Sequence, residues 1–288
     1  MPVINRQKPT TRAATRTTSR LLPTAPSDGW GTPDITRMLA YGQPKTGKTT
    51  LASTFPEPLL WLICSGGGRP GELRSIDTPA NRKRITPRVL RSTDQLKPLL
   101  EEEAPHYATV VLDHVSGLQD LDLKEVLGVD ELPAVRSWGM AQQSQYAQTI
   151  RHCIEYVRAL LSLPVNVVVL GQERTFGGGD ESGDSEVIRP VVGVDVMPSF
   201  HRWLAPAFDY LVQAFKRPRM EEYASTVAGK KRTSLRRGRG VEYCLRIGEH
   251  ETYLTGFRRP RELGPLPEVI VDPSYAKIRA VIAGEYQG

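Results

Sequence analysis

The chain has 288 residues, of which 39% are apolar and 24% are charged, and its net charge is +6. This composition is typical of a folded globular protein, and its apolar runs fall short of the ~20 residues that a membrane helix needs. The three cysteines are odd in number and far apart, which argues against a disulfide framework or a Cys-rich zinc site and favours a cytoplasmic protein without a membrane partner.

The first 30 residues differ from the rest of the chain. They are rich in Thr, Arg, Pro and Ser, and five basic residues precede the first acidic one, Asp28. Because few large apolar residues are available for burial, residues 1–30 are predicted to form a disordered basic tail. A tail of this charge could also bind phosphates non-specifically, and both interpretations stay open.

An alternation of strand and helix patterns predicts one α/β core over residues 31–258. Strand-like segments occur at 35–41, 59–64, 85–90, 108–112 and 165–170, and the segment 59–64 is continuously apolar, as in a parallel strand that is covered on both faces. Helical periodicity or helix capping occurs at 48–55, 92–103 and 139–162.

The later part of the core has a different pattern. Strand-like segments at 208–215, 241–247 and 252–257 follow one another without intervening helices. This order predicts a mostly parallel sheet flanked by helices, with an antiparallel extension near the C-terminus. Residues 259–288, with a short helix at 275–282, are predicted to pack on the core.

The most specific motif directly follows the first predicted strand. Residues 42–49 read Gly-Gln-Pro-Lys-Thr-Gly-Lys-Thr, which matches the P-loop pattern G-x-x-x-x-G-K-[ST] in full. The glycines let the backbone curl so that its N–H groups point at phosphate oxygens, and the following helix adds a partial positive charge. Lys48 would bind the β- and γ-phosphates, and the Thr49 hydroxyl would hold Mg²⁺.

The loop therefore predicts an ATP site that depends on Mg²⁺. Its predicted nucleotide ligands are Gly42, Gln43, Pro44, Lys45, Thr46, Gly47, Lys48, Thr49 and Thr50. Lys45 is an additional cation in the loop, and it either leans over the phosphates or points to solvent.

Two polar residues at strand ends complete the predicted site. Asp113 ends an apolar strand, and its carboxylate would join Thr49 as a Mg²⁺ ligand. Gln172 follows the strand at 165–170, from which its side chain could sense the γ-phosphate and report hydrolysis to the next loop. Lys48, Asp113 and Gln172 are thus candidate catalytic residues.

These elements resemble the RecA-like P-loop ATPases, and among them the AAA-family phage and prophage proteins of single-strand annealing and recombination. The resemblance spans roughly residues 36–258 and rests on 41–52, 111–113, Trp138-Gly139, 168–172 and 208–212. It implies a RecA-like fold, ATP hydrolysis, single-stranded DNA binding and assembly into a ring or filament. If the chain is encoded by a phage, it would act in the bacterial cytoplasm.

The sequence departs from the family at two positions. Such enzymes carry a catalytic Glu after the second core strand, whereas here Cys64 is followed by Ser-Gly-Gly-Gly, and the first carboxylate is Glu72. Glu72 is therefore the candidate catalytic base, with Asp77 as the weaker option. The residue after Asp113 is His114 rather than Glu, which argues against the water activation that is typical of AAA+ enzymes.

Basic residues suggest where DNA would bind. Arg174 and Phe176 begin a long loop, 173–198, that faces DNA in the family, although acidic residues within it oppose this interpretation. The segment 216–239 has nine basic and two acidic residues, and its strand-flanked position predicts a basic hairpin tip. Its candidate DNA contacts are Lys230, Lys231, Arg232, Arg236, Arg237 and Arg239.

Arg258 and Arg259 lie near the end of the predicted core. Either one could serve as an arginine finger toward a neighbouring subunit, and a plain surface pair is equally compatible with the sequence.

The leading interpretation is an ATPase that binds single-stranded DNA and supports phage-type recombination or annealing. A P-loop kinase of small molecules is one alternative, although no lid is evident. A module that binds nucleotide and gates DNA binding without hydrolysis is the other, because the family Glu is missing after Cys64.

Overall fold

The computed structural model describes residues 35–64, 70–130, 132, 142–177, 190–227 and 230–287, and it describes the backbone alone at 70–71 and 221–236. The predicted tail 1–30, the Trp138-Gly139 pair and the glycines that follow Cys64 lie outside these residues.

Five parallel strands form the centre of the sheet. They are β1 (Arg37–Tyr41), β2 (Leu59–Ile63), β3 (Ile85–Val89), β4 (Thr109–Asp113) and β5 (Asn166–Gly171). Their spatial order is β3-β2-β4-β5-β1, so β5 lies between the P-loop strand β1 and the strand that ends in Asp113. All five residues of β2 and β4 are buried, as expected for strands that are covered on both faces.

Helices cover both faces of this sheet. They are α1 (Lys48–Ala52), α2 (Pro79–Arg84), α3 (Leu96–Pro98), α4 (Val115–Leu127), α5 (Gln143–Leu161), α6 (Pro198–Ala207) and α7 (Tyr275–Ala283). Because side chains alternate along a strand, Leu39 and Tyr41 pack with α4, α5 and α6, whereas Met38 and Ala40 pack with α1 and α7.

The antiparallel extension is a long ribbon. It is preceded by β6 (Glu173–Phe176) and β7 (Val191–Val194), which pair with each other, and it is formed by β8 (Tyr210–Val227) and β9 (Lys230–Arg246). β8 runs parallel to β1 as far as Gln213 and then pairs with β9 alone, and β9 is flanked by a further short strand as far as Cys244, opposite Phe215. At roughly 3.3 Å per residue, the part of the ribbon between Phe215 and Val227 extends about 40 Å past the sheet. We call the part beyond the Gln213–Arg246 pair the arm.

Two short strands and the last helix complete the sheet and its cover. β10 (Gly256–Phe257) pairs with β8, and β11 (Val269–Val271) pairs with β9. Within the described residues the sheet therefore has nine strands. Ile278 and Val281 bury the inner side of α7 in the core, where each large apolar side chain contributes roughly 1.5–3 kcal/mol.

The predicted fold class, a mostly parallel α/β sheet with a C-terminal antiparallel extension, is confirmed. Two local predictions were wrong. Residues 93–106 form a series of short helical turns rather than one helix, because Pro98 has no N–H to donate. Only Gly256–Phe257 of the segment 252–257 is a strand.

The structure of the basic segment 216–239 also differs from the predicted one. It is almost entirely β-ladder rather than a hairpin tip, since backbone pairing runs from Lys216–Tyr243 to Val227–Lys230. Among the described residues, no helix is both long and apolar enough to cross a membrane.

Candidate functional site

The P-loop joins β1 to α1, and two glycines give it its shape. Gly42 has a φ of 155°, and a Cβ atom there would lie 2.1 Å from the carbonyl oxygen of Ala214 on β8. Gly47 has a φ of 89° and forms the left-handed N-cap of α1. A side chain at either position would be strained, which is the physical reason for the glycines of the motif.

Lys48 is buried within the loop. Its ammonium group donates hydrogen bonds to the carbonyl oxygens of Gly42, at 2.7 Å, and Gln43, at 2.8 Å. Burial lowers the pKa of Lys48 to about 8, and the negative charges of Asp113 and Glu173 oppose this shift. Lys48 therefore offers a largely desolvated cation to an anion that enters the loop.

Asp113 lies at the carboxyl end of β4 and is only 7% exposed. The Trp61 indole N–H donates to its Oδ2 at 3.2 Å. Burial and the charge of Glu72 raise the pKa of Asp113 to about 6, while the Trp61 hydrogen bond and Lys48 act in the opposite direction. The carboxylate is thus mainly ionised at neutral pH.

A cavity of about 710 Å³ borders the P-loop, which is within the usual size range of ligand sites. It is lined by residues 45–51 together with Glu72, Arg74, Ser75, Tyr243, Asp272 and Pro273. Glu72 thus lies in the cavity, and its charge acts on buried Asp113. This position agrees with the predicted role of Glu72 as a base, which stays a prediction.

Asp77, the weaker candidate for the base, lies elsewhere. It borders a second cavity of about 440 Å³ beside β3, which has no part of the P-loop in its lining. Its carboxylate is paired with Arg82 through a 2.5 Å contact, and this pair lowers the pKa of Asp77. Asp77 is therefore poorly placed to activate water at the P-loop.

Gln172 directly follows β5, between the strands that carry the P-loop and Asp113. The predicted sensor strand is thus adjacent to β1, while the sensing role itself stays a prediction. The charge of the next residue, Glu173, opposes the lowering of the Lys48 pKa. Gln213 donates a hydrogen bond to Glu173 Oε2 at 3.3 Å.

His114 has a local structural role. Its Nδ1 accepts a hydrogen bond from the N–H of Gly117 at 2.9 Å and thereby caps α4. Burial, and next the positive charge of Lys48, lower the pKa of His114. A neutral imidazole therefore stands where the AAA+ pattern has an acid.

Arg174 and Phe176 lie on β6 and contact other residues of the chain. Arg174 is 3.7 Å from the Asp195 carboxylate, and its guanidinium lies 5.5 Å from the centre of the Phe176 ring. Phe176 also packs against His201, and the centres of their rings are 4.4 Å apart. Contacts of these two residues with DNA stay a prediction, and they would require some of these contacts to open.

The arm displays cations along its backbone ladder. Lys216, Arg217, Arg219, Arg237 and Arg239 are exposed. Lys230, Lys231, Arg232 and Arg236 belong to β9, and their side chains lie outside the described part of the chain. The DNA-binding role of these residues stays a prediction.

The two candidate arginine fingers have different surroundings. Arg258 is 63% exposed, bonds to Asp209 at 3.0 Å and donates to the carbonyl oxygen of Pro206 at 2.8 Å. Arg259 donates to the carbonyl oxygen of Val281 at 2.8 Å and to that of Leu263 at 3.0 Å, so it holds the end of α7. Arg258 is therefore the better candidate for a contact with a neighbouring subunit.

Sequence reasoning missed three residues of the site. Trp61 was part of an apolar strand pattern, and its bond to Asp113 depends on the pairing of β2 with β4. Tyr243 lies against the P-loop, where its Cδ1 would be 3.1 Å from a Cβ at Gly47. Glu173 could have been found from the sequence, since it directly follows the predicted sensor Gln172.

The donor set fits Mg·ATP. Thr49 and Asp113 offer the hard oxygen ligands that Mg²⁺ prefers, and Lys48 and the start of α1 offer positive charge to phosphates. The steric requirement for glycine at positions 42 and 47 leaves the loop backbone open to close approach by an anion.

Comparisons with solved structures give weak similarities. The flagellar accessory protein FlaH from Methanocaldococcus jannaschii has 10% identity over 83% of this chain and 86% of its own, with a TM-score of 0.38. The KaiC-like protein PH0186 from Pyrococcus horikoshii OT3 has 11% identity over 83% and 89%, also with a TM-score of 0.38. The RadB recombinase has 12% identity over 72% and 86%, again with a TM-score of 0.38. Similarity at this level carries no argument about function.

A comparison of sequence families is more informative. No match was found among curated protein sequences. A family model, AAA_24, described as an AAA domain, matches residues 35–256. This range includes the P-loop, the strand that ends in Asp113, Gln172 and the whole arm, so the chain belongs to the AAA_24 family of AAA domains.

Proposed function

We propose that this protein is a Mg²⁺-dependent ATPase that binds single-stranded DNA through its arm and supports phage-type recombination or annealing. The observation that carries the proposal is the pairing of β1 with β8, because one strand leads into the P-loop and the other continues into the arm. Because these two strands are parallel, the P-loop and the start of the arm lie at the same end of the strand pair.

Hydrolysis would use residues of the cavity together with Asp113 and Gln172, which lie at the ends of the neighbouring strands β4 and β5. Lys48 and the amides of the P-loop bind the phosphates, while Thr49 and Asp113 hold Mg²⁺, which supplies charge neutralisation to the transferred phosphoryl group. Glu72 accepts the proton of the attacking water, and Gln172 orients that water or the γ-phosphate. The raised pKa of Asp113 means that the carboxylate is only half ionised at about pH 6 and mainly ionised at neutral pH.

The arm supplies the nucleic-acid surface. Its exposed cations, such as Arg219, Arg237 and Arg239, stand on a ribbon that carries few acidic residues between 216 and 239. Neutralising several phosphates makes binding steeply dependent on salt and largely independent of sequence. Single-stranded DNA is the preferred substrate by resemblance to the phage proteins, and assembly into a ring or filament would bring Arg258 to a neighbouring active site.

ATP turnover with and without oligothymidylate tests the proposed function. We expect turnover that requires Mg²⁺, rises with single-stranded DNA and disappears in Lys48→Ala. Full turnover in Lys48→Ala would remove the basis for the site. Transfer of phosphate to a metabolite without any effect of DNA would favour a kinase, and ATP binding without turnover would favour a gated binding module.

A second measurement tests the arm itself. Replacing Arg237 and Arg239 by alanine should weaken oligothymidylate binding and lower the slope of its salt dependence by about 1 for each lost phosphate contact. Arg91→Ala is the matched control, because Arg91 is also exposed but lies beside β3, at the other edge of the sheet. Equal effects of the arm and control variants would contradict the assignment.

A further inference from the structure

The junction between the sheet and the arm contains a buried polar chain. Gln213 is the last residue of β8 that pairs with β1, and it is also the first that pairs with β9, opposite Arg246. At this point β8 leaves β1, while β9 still pairs with β11 over Cys244–Arg246, so the two-stranded part of the arm begins after Phe215.

Hydrogen bonds connect this junction to the residue after the predicted sensor. Gln213 Nε2 donates to Glu173 Oε2 at 3.3 Å, and Arg246 Nε donates to Gln213 Oε1 at 3.3 Å. Arg246 continues to Glu268 through a 3.1 Å ion pair. Only 3% of Gln213 and 12% of the Arg246 side chain are exposed, so solvent does not replace these bonds easily.

Aromatic rings hold the Arg246 guanidinium in place. It lies 4.9 Å from the centre of the Phe215 ring, on the arm side, and 4.9 Å from that of Tyr253. A change in the position of Arg246 would therefore be transmitted to Phe215, the second residue of the arm. Cation–π contacts of this kind strengthen when the cation is desolvated.

Two positions connect this chain to the nucleotide site: Gln213 pairs with Tyr41, the residue directly before the P-loop, and Glu173 directly follows the predicted sensor Gln172. The charge of Glu173 acts on Lys48, which binds only loop carbonyls among the contacts of the described residues. A triphosphate in the loop would take over the charge of Lys48 and repel the Glu173 carboxylate. Since Glu173 accepts the Gln213 hydrogen bond, its displacement would alter the junction.

We infer that Glu173, Gln213 and Arg246 form a relay through which the triphosphate at the P-loop sets the position of the arm. This inference rests on the proposed nucleotide site and extends it, since it names the positioning residues that link ATP to DNA binding. Gln213 and Arg246 act through Glu173 and do not contact nucleotide. The relay predicts a coupling free energy between the two ligands, which must act equally in both directions.

Hydrogen–deuterium exchange of the full chain, with and without Mg·ATPγS, tests the relay without any DNA. In the wild type, nucleotide should protect the P-loop and change the exchange of arm amides at 214–220 and 237–245. In Gln213→Leu, P-loop protection should persist while the arm response is lost. Glu242→Gln is the matched control, because it removes the charge from the 2.9 Å Arg217–Glu242 pair, which belongs to the arm but not to the relay.

The outcomes separate the relay from the nucleotide site. P-loop protection without any arm response in the wild type, or an arm response that survives in Gln213→Leu, would overturn the relay alone. Absence of P-loop protection would overturn the nucleotide site and the relay with it. Arg246→Lys serves as the second variant if Gln213→Leu does not fold, and it should lose the arm response in the same way.

A ratio of affinities gives the second readout. Oligothymidylate should change the Kd of wild-type protein for Mg·ATPγS by roughly 5- to 150-fold, and Gln213→Leu should bring this ratio close to one. If Gln213 had a merely structural role, Gln213→Leu would weaken the binding of both ligands and leave this ratio at its wild-type value. An unchanged ratio would therefore contradict the relay.

Discussion

The ammonium nitrogen of Lys48 lies 2.7 Å from the carbonyl oxygen of Gly42, the residue at the other end of the same loop. The ammonium group of Lys48 thus joins the two ends of the P-loop. A phosphate that enters must replace the Gly42 and Gln43 carbonyls as the partner of this ammonium group. Binding of nucleotide therefore depends on whether Lys48 is protonated.

The affinity for Mg·ATPγS should fall as pH rises through about 8. Burial lowers the pKa of Lys48 to about 8 in the empty loop, whereas bound phosphates would raise it again. Above that pH, binding must take up a proton, and each further pH unit weakens it by up to about tenfold. Titration calorimetry in two buffers with different ionisation enthalpies measures both the Kd and the proton uptake.

Lys48→Arg is the control for this pH dependence. Its guanidinium stays charged across the range, so its affinity, although lower, should not change with pH. A wild-type profile that is flat between pH 7 and about pH 9.5, with no proton uptake, would contradict the prediction.

Asp113→Asn should stabilise the metal-free protein. The pKa of Asp113 is raised from 3.8 to about 6 in the folded protein, so the ionised carboxylate destabilises the fold. This destabilisation is absent well below pH 3.8, increases between pH 3.8 and about pH 6, and reaches its full value near pH 7. Its removal should raise the free energy of unfolding by roughly 2–3 kcal/mol at pH 7.

Denaturant unfolding at several pH values, without Mg²⁺, measures this gain. Asp272→Asn is the control, since Asp272 also borders the cavity but is exposed. The same Asp113→Asn variant should lose Mg²⁺-dependent turnover. A gain in stability that is equal at pH 4 and pH 7 would show that ionisation of Asp113 is not its cause.

Gly42→Ala should destabilise the fold as well as abolish nucleotide binding. The new Cβ would lie 2.1 Å from the Ala214 carbonyl oxygen, so β1 and β8 would have to separate. We expect a loss of more than about 3 kcal/mol in the free energy of unfolding. Gly256→Ala is the matched control, because its Cβ would have no neighbour within 4 Å, and it should unfold like the wild type.

Arg258 and Arg259 should respond differently to replacement by alanine. Arg259→Ala removes the bonds to the Val281 and Leu263 carbonyls and should cost about 1–3 kcal/mol of stability. Arg258→Ala should change thermal unfolding less, because its ion pair with Asp209 and its hydrogen bond to the Pro206 carbonyl are both exposed to solvent. If Arg258 serves a neighbouring subunit, its loss should lower ATP turnover most at high protein concentration. The reverse pattern, with Arg259 dispensable for stability, would contradict this assignment.

The parallel core could be predicted because its local signals agree. The apolar strands, the P-loop glycines and the polar residues Asp113 and Gln172 at strand ends all point to one sheet edge, and the strand order brings these ends together. Parallel strands covered on both faces need long apolar runs, so such strands are readily recognised in a sequence.

The arm and the inner contacts of the site could not be predicted in the same way. Residues 216–239 have many Lys and Arg side chains, which are not typical of strands, and their extended form depends on backbone pairing with a partner strand. The contacts of Trp61 with Asp113, and of Tyr243 with the P-loop, join residues that are distant in sequence. Only the packed sheet brings these residues together.

The pairing pattern of the arm also determines how it can change during evolution. The side chains of a strand alternate between two faces, so inserting two residues into each strand near the tip would lengthen the arm and preserve which residues share a face. An insertion of one residue would exchange the two faces beyond that point. Homologous proteins should therefore differ in arm length by even steps, while the core strands keep theirs.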